Sequence, residues 1–175
     1  NLQVAKQMMN ISPQETAIAP NLTVMENLEF TAKIYGCETK EAVSRAHDMM
    51  EKFRLNDRAK AKAKTLSGGL QRRLSIAMAM ITNPQIVFLD EPTLGLDVRA
   101  RRDLWNILLE LKGQITMILT THYLDEVEAL ADRVGIMHQG KLCALGTAFE
   151  LKEKFNKNSL EDVFIYVTEE KEVLV

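Results

Sequence analysis

Apolar positions recur at helical spacing from Thr23 onward, at Val24, Leu28, Ala32 and Tyr35. Thr23-Val24-Met25-Glu26 has the form of a capping box, so a helix is predicted from Thr23 to about Gly36. A second stripe, Val43, Ala46, Met50 and Phe53, predicts another amphipathic helix. A third, Leu70, Leu74, Ala77 and Ile81, follows Ser67-Gly68-Gly69 and stops before Asn83-Pro84, because the residue preceding a proline disfavours the helical region. Ser67 is thereby placed at a helix N-terminus.

The period then changes. Ile86–Leu89 and Ile115–Thr120 are short apolar runs rich in β-branched residues, separated by a helical segment through Leu104, Ile107 and Leu111. Strand, helix and strand in that order predict a buried parallel sheet. A short helix around Tyr123 to Ala131 follows. Val134–Met137 and Lys141–Leu145 flank Gln139-Gly140 and read as a hairpin ahead of a polar helical tail. The alternating segment Arg58 to Lys64 reads as a solvated basic surface, and no internal repeat is evident.

Composition adds limits more than direction. With 175 residues, 46% of them hydrophobic, the chain suits one domain with a substantial core. Its 22 Lys and Arg against 24 Asp and Glu leave a net charge of -2, which does not steer toward nucleic acid. Cys37 and Cys143 stand far apart in no metal-ligand spacing, which suits a reducing, cytosolic setting. The longest purely apolar run, Ile76–Ile81, is six residues against the roughly 20 needed to cross a bilayer, so any spanning segment belongs to another chain. The chain opens at Asn1 with no secretory-type leader, and the expectation is a fragment.

Two segments carry chemistry. Ile86–Leu89 delivers Asp90 and Glu91 at the C-terminal end of a strand, where open α/β sheets bind ligands. Asp90 would hold Mg²⁺ directly or through water, and Glu91 could orient or deprotonate an attacking water. Taken alone, such a pair is commonly a solvated turn. Leu66-Ser67-Gly68-Gly69-Leu70-Gln71 sets a hydroxyl and bare backbone at a helix N-terminus, which attracts phosphate, although taken alone it reads as a plain serine cap. His122 follows a strand ending in Thr120-Thr121 and can face the same ligand, whereas His47 and His138 lack such context.

Leu66–Gly69, Asp90-Glu91-Pro92-Thr93, Gly95-Leu96-Asp97 and Thr121-His122 stand in the order and approximate spacing of ATP-binding-cassette (ABC) ATPases, which the chain resembles. Ile11-Ser12-Pro13-Gln14 resembles that family's Q-loop and Leu22–Leu28 the helix start after it, so the resemblance spans nearly the whole chain. Leu70 and Val98 depart from the commonest pattern, where Gln and Pro are frequent.

The resemblance implies ATP and Mg²⁺ as cofactors, Gln14 sensing metal and water, and His122 bonding the γ-phosphate. It implies that Ser67, Gly68 and Gly69, with Gln71 beside them, serve the nucleotide of a second cassette across an interface that Asp97 also lines. The implied fold is α/β: an incomplete RecA-like P-loop NTPase core with an inserted ABC helical subdomain. Residues 1–21 and 83–146 would form the partial core, 22–82 the helical subdomain with the signature motif, and 147–175 a C-terminal helical extension.

The pattern G-x-x-x-x-G-K-[ST], which cradles nucleotide phosphates, should precede Gln14, yet only thirteen residues do and none is glycine. Gly135 to Leu142 satisfies all but its last position, but Leu142 offers no oxygen to a metal and the Gly140-Lys141 pair sits in a hairpin. A parallel sheet missing the Walker A strand is therefore expected, between Ile115–Thr120 and Val134–Met137, and the isolated chain is expected to be marginally stable and inactive. The leading reading is the nucleotide-binding subunit of an ABC transporter at the cytoplasmic face of the membrane, partnered by a transmembrane permease. Ser159–Phe164 resembles a segment of ABC-2-type exporters and reads equally as a capped helix. The alternatives are a soluble non-transport ABC ATPase, and a truncated binding module that supplies its signature half-site in trans.

Overall fold

The computed structural model describes residues 8–169, so the outermost parts of the expected segments 1–21 and 147–175 lie outside the described residues. Two compact units are present, the first ending at Thr120 and the second beginning at Thr121.

The first unit is built on a three-stranded parallel sheet: β1 (Met9–Ser12), β2 (Ile86–Asp90) and β3 (Thr116–Thr120), with β2 in the middle. Ser12 pairs with Leu89 and Asp90 with Thr120, which brings the C-terminal ends of the strands into line. β2 and β3 match the apolar runs, but β1 has no such run and escapes a sequence reading. The expectation of a buried sheet is corrected at β3. Its residues alternate between exposed and half-buried, and Ile118 is 43% exposed, because β3 is an edge strand among the described residues.

Between β1 and β2 the chain forms α1 (Val24–Ile34), α2 (Thr39–Lys52) and α3 (Gly68–Met80). The expected capping box is formed: the Thr23 amide donates to Glu26 Oε2 at 2.7 Å and the Glu26 amide to Thr23 Oγ1 at 3.2 Å. The amides of Val24 and Met25 find the carbonyls of Ala61 and Ala59, both at 3.1 Å. The Arg58 to Lys64 segment therefore closes the start of α1 as well as facing water. Arg58, Lys60, Lys62 and Lys64 are exposed while Ala63 is fully buried. On α2 the buried stripe is Ala42, Ala46, Met49 and Met50, continued by Phe53; Val43, expected in the stripe, is only half-buried at its flank.

α3 packs against α1, α2, β1, β2 and α4 (Val98–Leu111), and it is buried on most sides, as a central helix must be. Leu74, Ile76 and Ala77 are fully buried there. Each large one contributes about 1.5–3 kcal/mol of gross transfer free energy. α4 buries Leu104, Ile107, Leu108 and Leu111, the expected face with one addition.

The second unit holds α5 (Leu124–Leu130), the antiparallel pair β4 (Val134–His138) and β5 (Lys141–Gly146), α6 (Ala148–Phe155) and α7 (Leu160–Glu169). Gln139 and Gly140 both have positive φ, 47° and 73°, the backbone that a two-residue hairpin turn requires. The lysine of the Gly-Lys decoy thus opens a strand. The core of this unit is Ile136, Ala144, Leu151, Leu160, Val163 and Val167, so the tail beyond Thr147 is amphipathic and packs.

Candidate functional site

β2 leaves the sheet through Asp90, whose carboxylate Oδ1 accepts the Thr120 hydroxyl at 2.5 Å across the β2–β3 register. Oδ2 carries no hydrogen bond among the described residues. Glu91 then turns the chain in the left-handed region, φ 45°, with its amide bonded to the Thr120 carbonyl at 3.0 Å. A non-glycine residue held there stores backbone strain, which concentrates at functional sites. Two turns follow, Leu94 to Glu91 and Leu96 to Thr93.

These turns are held from α3 by Arg72, a residue that sequence reasoning passed over. The residue is 4% exposed, and its guanidinium donates to Pro92 O from Nε at 2.9 Å and to Asp90 O at 2.5 Å. The remaining nitrogen donates to Pro13 O at 2.5 Å and Gln14 O at 3.2 Å. Nothing in its spacing separates it from Arg73, which pairs instead with Asp103 at 2.9 Å. Asn27 was likewise missed. It is buried, and its amide bonds the backbone of Ala19, Leu22 and Thr23, fixing the path from Gln14 into α1.

At the head of α3, exposed Ser67 is the N-cap, and its hydroxyl accepts from the Leu70 amide at 3.4 Å. Gly68 has open space where a Cβ would stand, so packing within the chain does not demand glycine there. Gly69 differs, since a Cβ would come within 2.9 Å of Ala100 Cβ. Gln71 donates its amide nitrogen to the carbonyls of Ala63 and Leu66, each at 3.2 Å, and so shapes the loop before Ser67. Asp97 caps α4, accepting from the amides of Arg99 and Ala100 at 2.9 Å.

Gln14 has an exposed side chain on the loop after β1 and is tied to the Asp90–Pro92 turn through Arg72. The first unit therefore contains Gln14, Ser67, Gly68, Gly69, Gln71, Asp90, Glu91 and Asp97. His122 belongs to the second unit, exposed, its ring 4.2 Å from that of Tyr123.

No group of three or more His, Cys, Asp or Glu able to cage a metal occurs among the described residues. One carboxylate with an open oxygen still fits Mg²⁺, which is usually held by one or two carboxylates together with substrate phosphates. No helix among the described residues is long and apolar enough to cross a membrane.

A parallel sheet ending in paired carboxylates, with a serine-glycine helix start tied to it, is the layout of a nucleotide-binding cassette. Residues 1–94 match the ABC transporter family. The linearmycin resistance ATP-binding protein LnrL of Bacillus subtilis (strain 168) is 41% identical over 157 residues, 89% of this chain and 50% of that protein. The retinal-specific phospholipid-transporting ATPase ABCA4 of Mus musculus is 39% identical over 155 residues, 89% of this chain and 7% of that one. A solved structure of an ATP-binding subunit of an ABC transporter has a TM-score of 0.79 at 26% identity, covering 95% of this chain and 71% of that one. The chain belongs to the ABC transporter family. It spans half the length of the Bacillus relative and far less of the mouse one.

Proposed function

We propose that the chain is part of the nucleotide-binding subunit of an ABC transporter that couples ATP binding and hydrolysis to export through a membrane partner, at the cytoplasmic face of the membrane. The observation that carries this reading is the end of β2, where Asp90 keeps one oxygen open beside Thr120 and Glu91 is held in a strained turn. Asp90 and Gln14 would hold Mg²⁺, which when bound neutralises phosphate charge. Glu91 would orient and deprotonate the attacking water. His122 would bond the γ-phosphate. Ser67, Gly68 and Gly69 would meet the nucleotide of a second cassette, with Gln71 holding their loop and Asp97 the interface loop.

Residues 22–82 serve as the helical subdomain and 147–175 as the C-terminal extension in this reading. Gln14, exposed on the loop after β1, would couple to the membrane partner. Export is favoured by the relatives, one conferring linearmycin resistance and the other transporting phospholipid by name. The given sequence contains no complete G-x-x-x-x-G-K-[ST], so the lone chain is proposed not to turn over ATP. Measurable MgATP turnover by the lone chain would contradict that, and micromolar MgATP affinity would contradict the incompleteness of its nucleotide site.

In the full-length protein, Glu91→Gln should retain ATP binding while turnover falls by about a hundredfold or more. Turnover within a few-fold of the unmodified protein would remove Glu91 from the role of base.

A further inference from the structure

Arg72 sits on α3 just past Ser67–Gly69, and its bonded carbonyls come from two other segments, Pro13 and Gln14 after β1 and Asp90 and Pro92 after β2. A helix that needed only an anchor would take an apolar residue there, as it does at Leu74 and Ile76. Burying a permanently charged group is costly unless it is fully hydrogen-bonded, so the position is filled at an expense that packing does not explain. The guanidinium is also a rigid planar fork. Its acceptors cannot move independently of one another or of α3, whereas a lysine would present a single nitrogen on a flexible stem.

We infer that Arg72 is a positioning residue that joins the signature helix, the Gln14 loop and the Asp90–Pro92 turn into one mechanical body. A displacement of α3 imposed at Ser67–Gly69 is then delivered to Asp90 and Gln14 as a rigid-body shift rather than dissipated in loops. This inference rests on the proposed reading of Ser67–Gly69 and Asp90–Glu91 as parts of two different nucleotide sites. On that reading, Arg72 carries the occupancy of the partner cassette's nucleotide to the metal and water groups of its own.

The test is MgATP turnover by the full-length protein assembled with its second cassette and membrane partner. Arg72→Lys should lower the Hill coefficient toward unity and reduce maximal turnover about tenfold, while the half-saturating MgATP concentration changes by less than about threefold. A merely structural arginine would lower the yield of folded protein and leave the cooperativity of the remainder intact, and that outcome overturns the inference, as does an unmodified protein without cooperativity. Glu91→Gln and Ser67→Ala are measured in parallel. If both retain turnover, the nucleotide-site reading fails and the inference with it; if both lose turnover while Arg72→Lys stays cooperative, the inference alone fails. Should Arg72→Lys not fold, hydrogen exchange on the unmodified assembly decides. The amides of Gln14, Glu15, Glu91 and Thr93 should change protection together on adding MgATP, and independent changes overturn the coupling.

Discussion

A Cβ placed on Gly69 would stand 2.9 Å from the Cβ of Ala100, so the head of α3 touches the head of α4 with no room for a methyl group. Gly68, one residue earlier, has nothing within 4 Å. Adjacent glycines in one motif therefore answer to different demands, and substitution separates them.

Gly69→Ala is expected to destabilise the protein by about 1–3 kcal/mol, because the neighbour is a short side chain that yields only by backbone movement. Combined with Ala100→Gly, it should prove more stable than the sum of the single variants by about 1 kcal/mol, read from denaturant unfolding. Strict additivity would show that the contact is not tight. Gly68→Ala should leave stability unchanged or raise it by about 0.5–1 kcal/mol. A loss of ATP turnover in that variant would then report obstruction of a ligand rather than damage to the fold, and full activity would count against phosphate approach at Gly68.

The Thr120 hydroxyl orients the Asp90 carboxylate from the neighbouring strand. Thr120→Val keeps the shape and removes the donor. Groups that hydrogen-bond a metal-ligating carboxylate typically contribute about 10- to 100-fold in metal affinity or activity, so the Mg²⁺ concentration for half-maximal turnover should rise by about that factor. An unchanged Mg²⁺ dependence would mean that Asp90 needs no such support or binds no metal.

Acid sensitivity follows from the capping boxes. The Thr23 amide, then its hydroxyl, hold the exposed Glu26 carboxyl below its ordinary 4.5, with Lys62 adding in the same direction. Thr147 does the same for Glu150, helped by Arg133. Both groups have depressed values in the folded state, so their contribution to stability is complete above about 4.5 and is lost as pH falls through the lowered values. Replacing both by glutamine, which can still accept from the cap amide, should flatten the fall in melting temperature between neutral pH and about pH 3. An acid limb identical to that of the unmodified protein would rule these two carboxylates out as its source.

Much of the fold was legible because it is local. The Thr23 capping box, the stripe on α4, the β-branched run of β2 and the paired positive-φ turn at Gln139-Gly140 each depend on residues within a few positions of one another. The same holds for the candidate chemistry, since Asp90 and Glu91 are consecutive and Ser67 lies immediately before its helix. The exposure of β3 could not be read from its own apolar run, because it depends on which strand lies beside it, and only the expectation of a missing neighbour there pointed to an open edge. Nor was the stripe on α2, displaced from Val43 to Ala42 and Met49, where the sequence offers several apolar positions and only the neighbouring helices choose among them.

The residues that hold the site together are of a third kind. Arg72 bonds partners as many as 59 positions away, Gly69 is fixed by Ala100, and Asp90 is oriented by Thr120. No periodicity announces such links, because each is a relation between a side chain and a distant backbone or strand that exists only after the chain has closed. Helix starts, strand runs and the order of the motifs are set by short-range sterics and hydrogen bonding already present in the sequence. Which glycine is obligatory, and which arginine is buried, follow from packing in three dimensions.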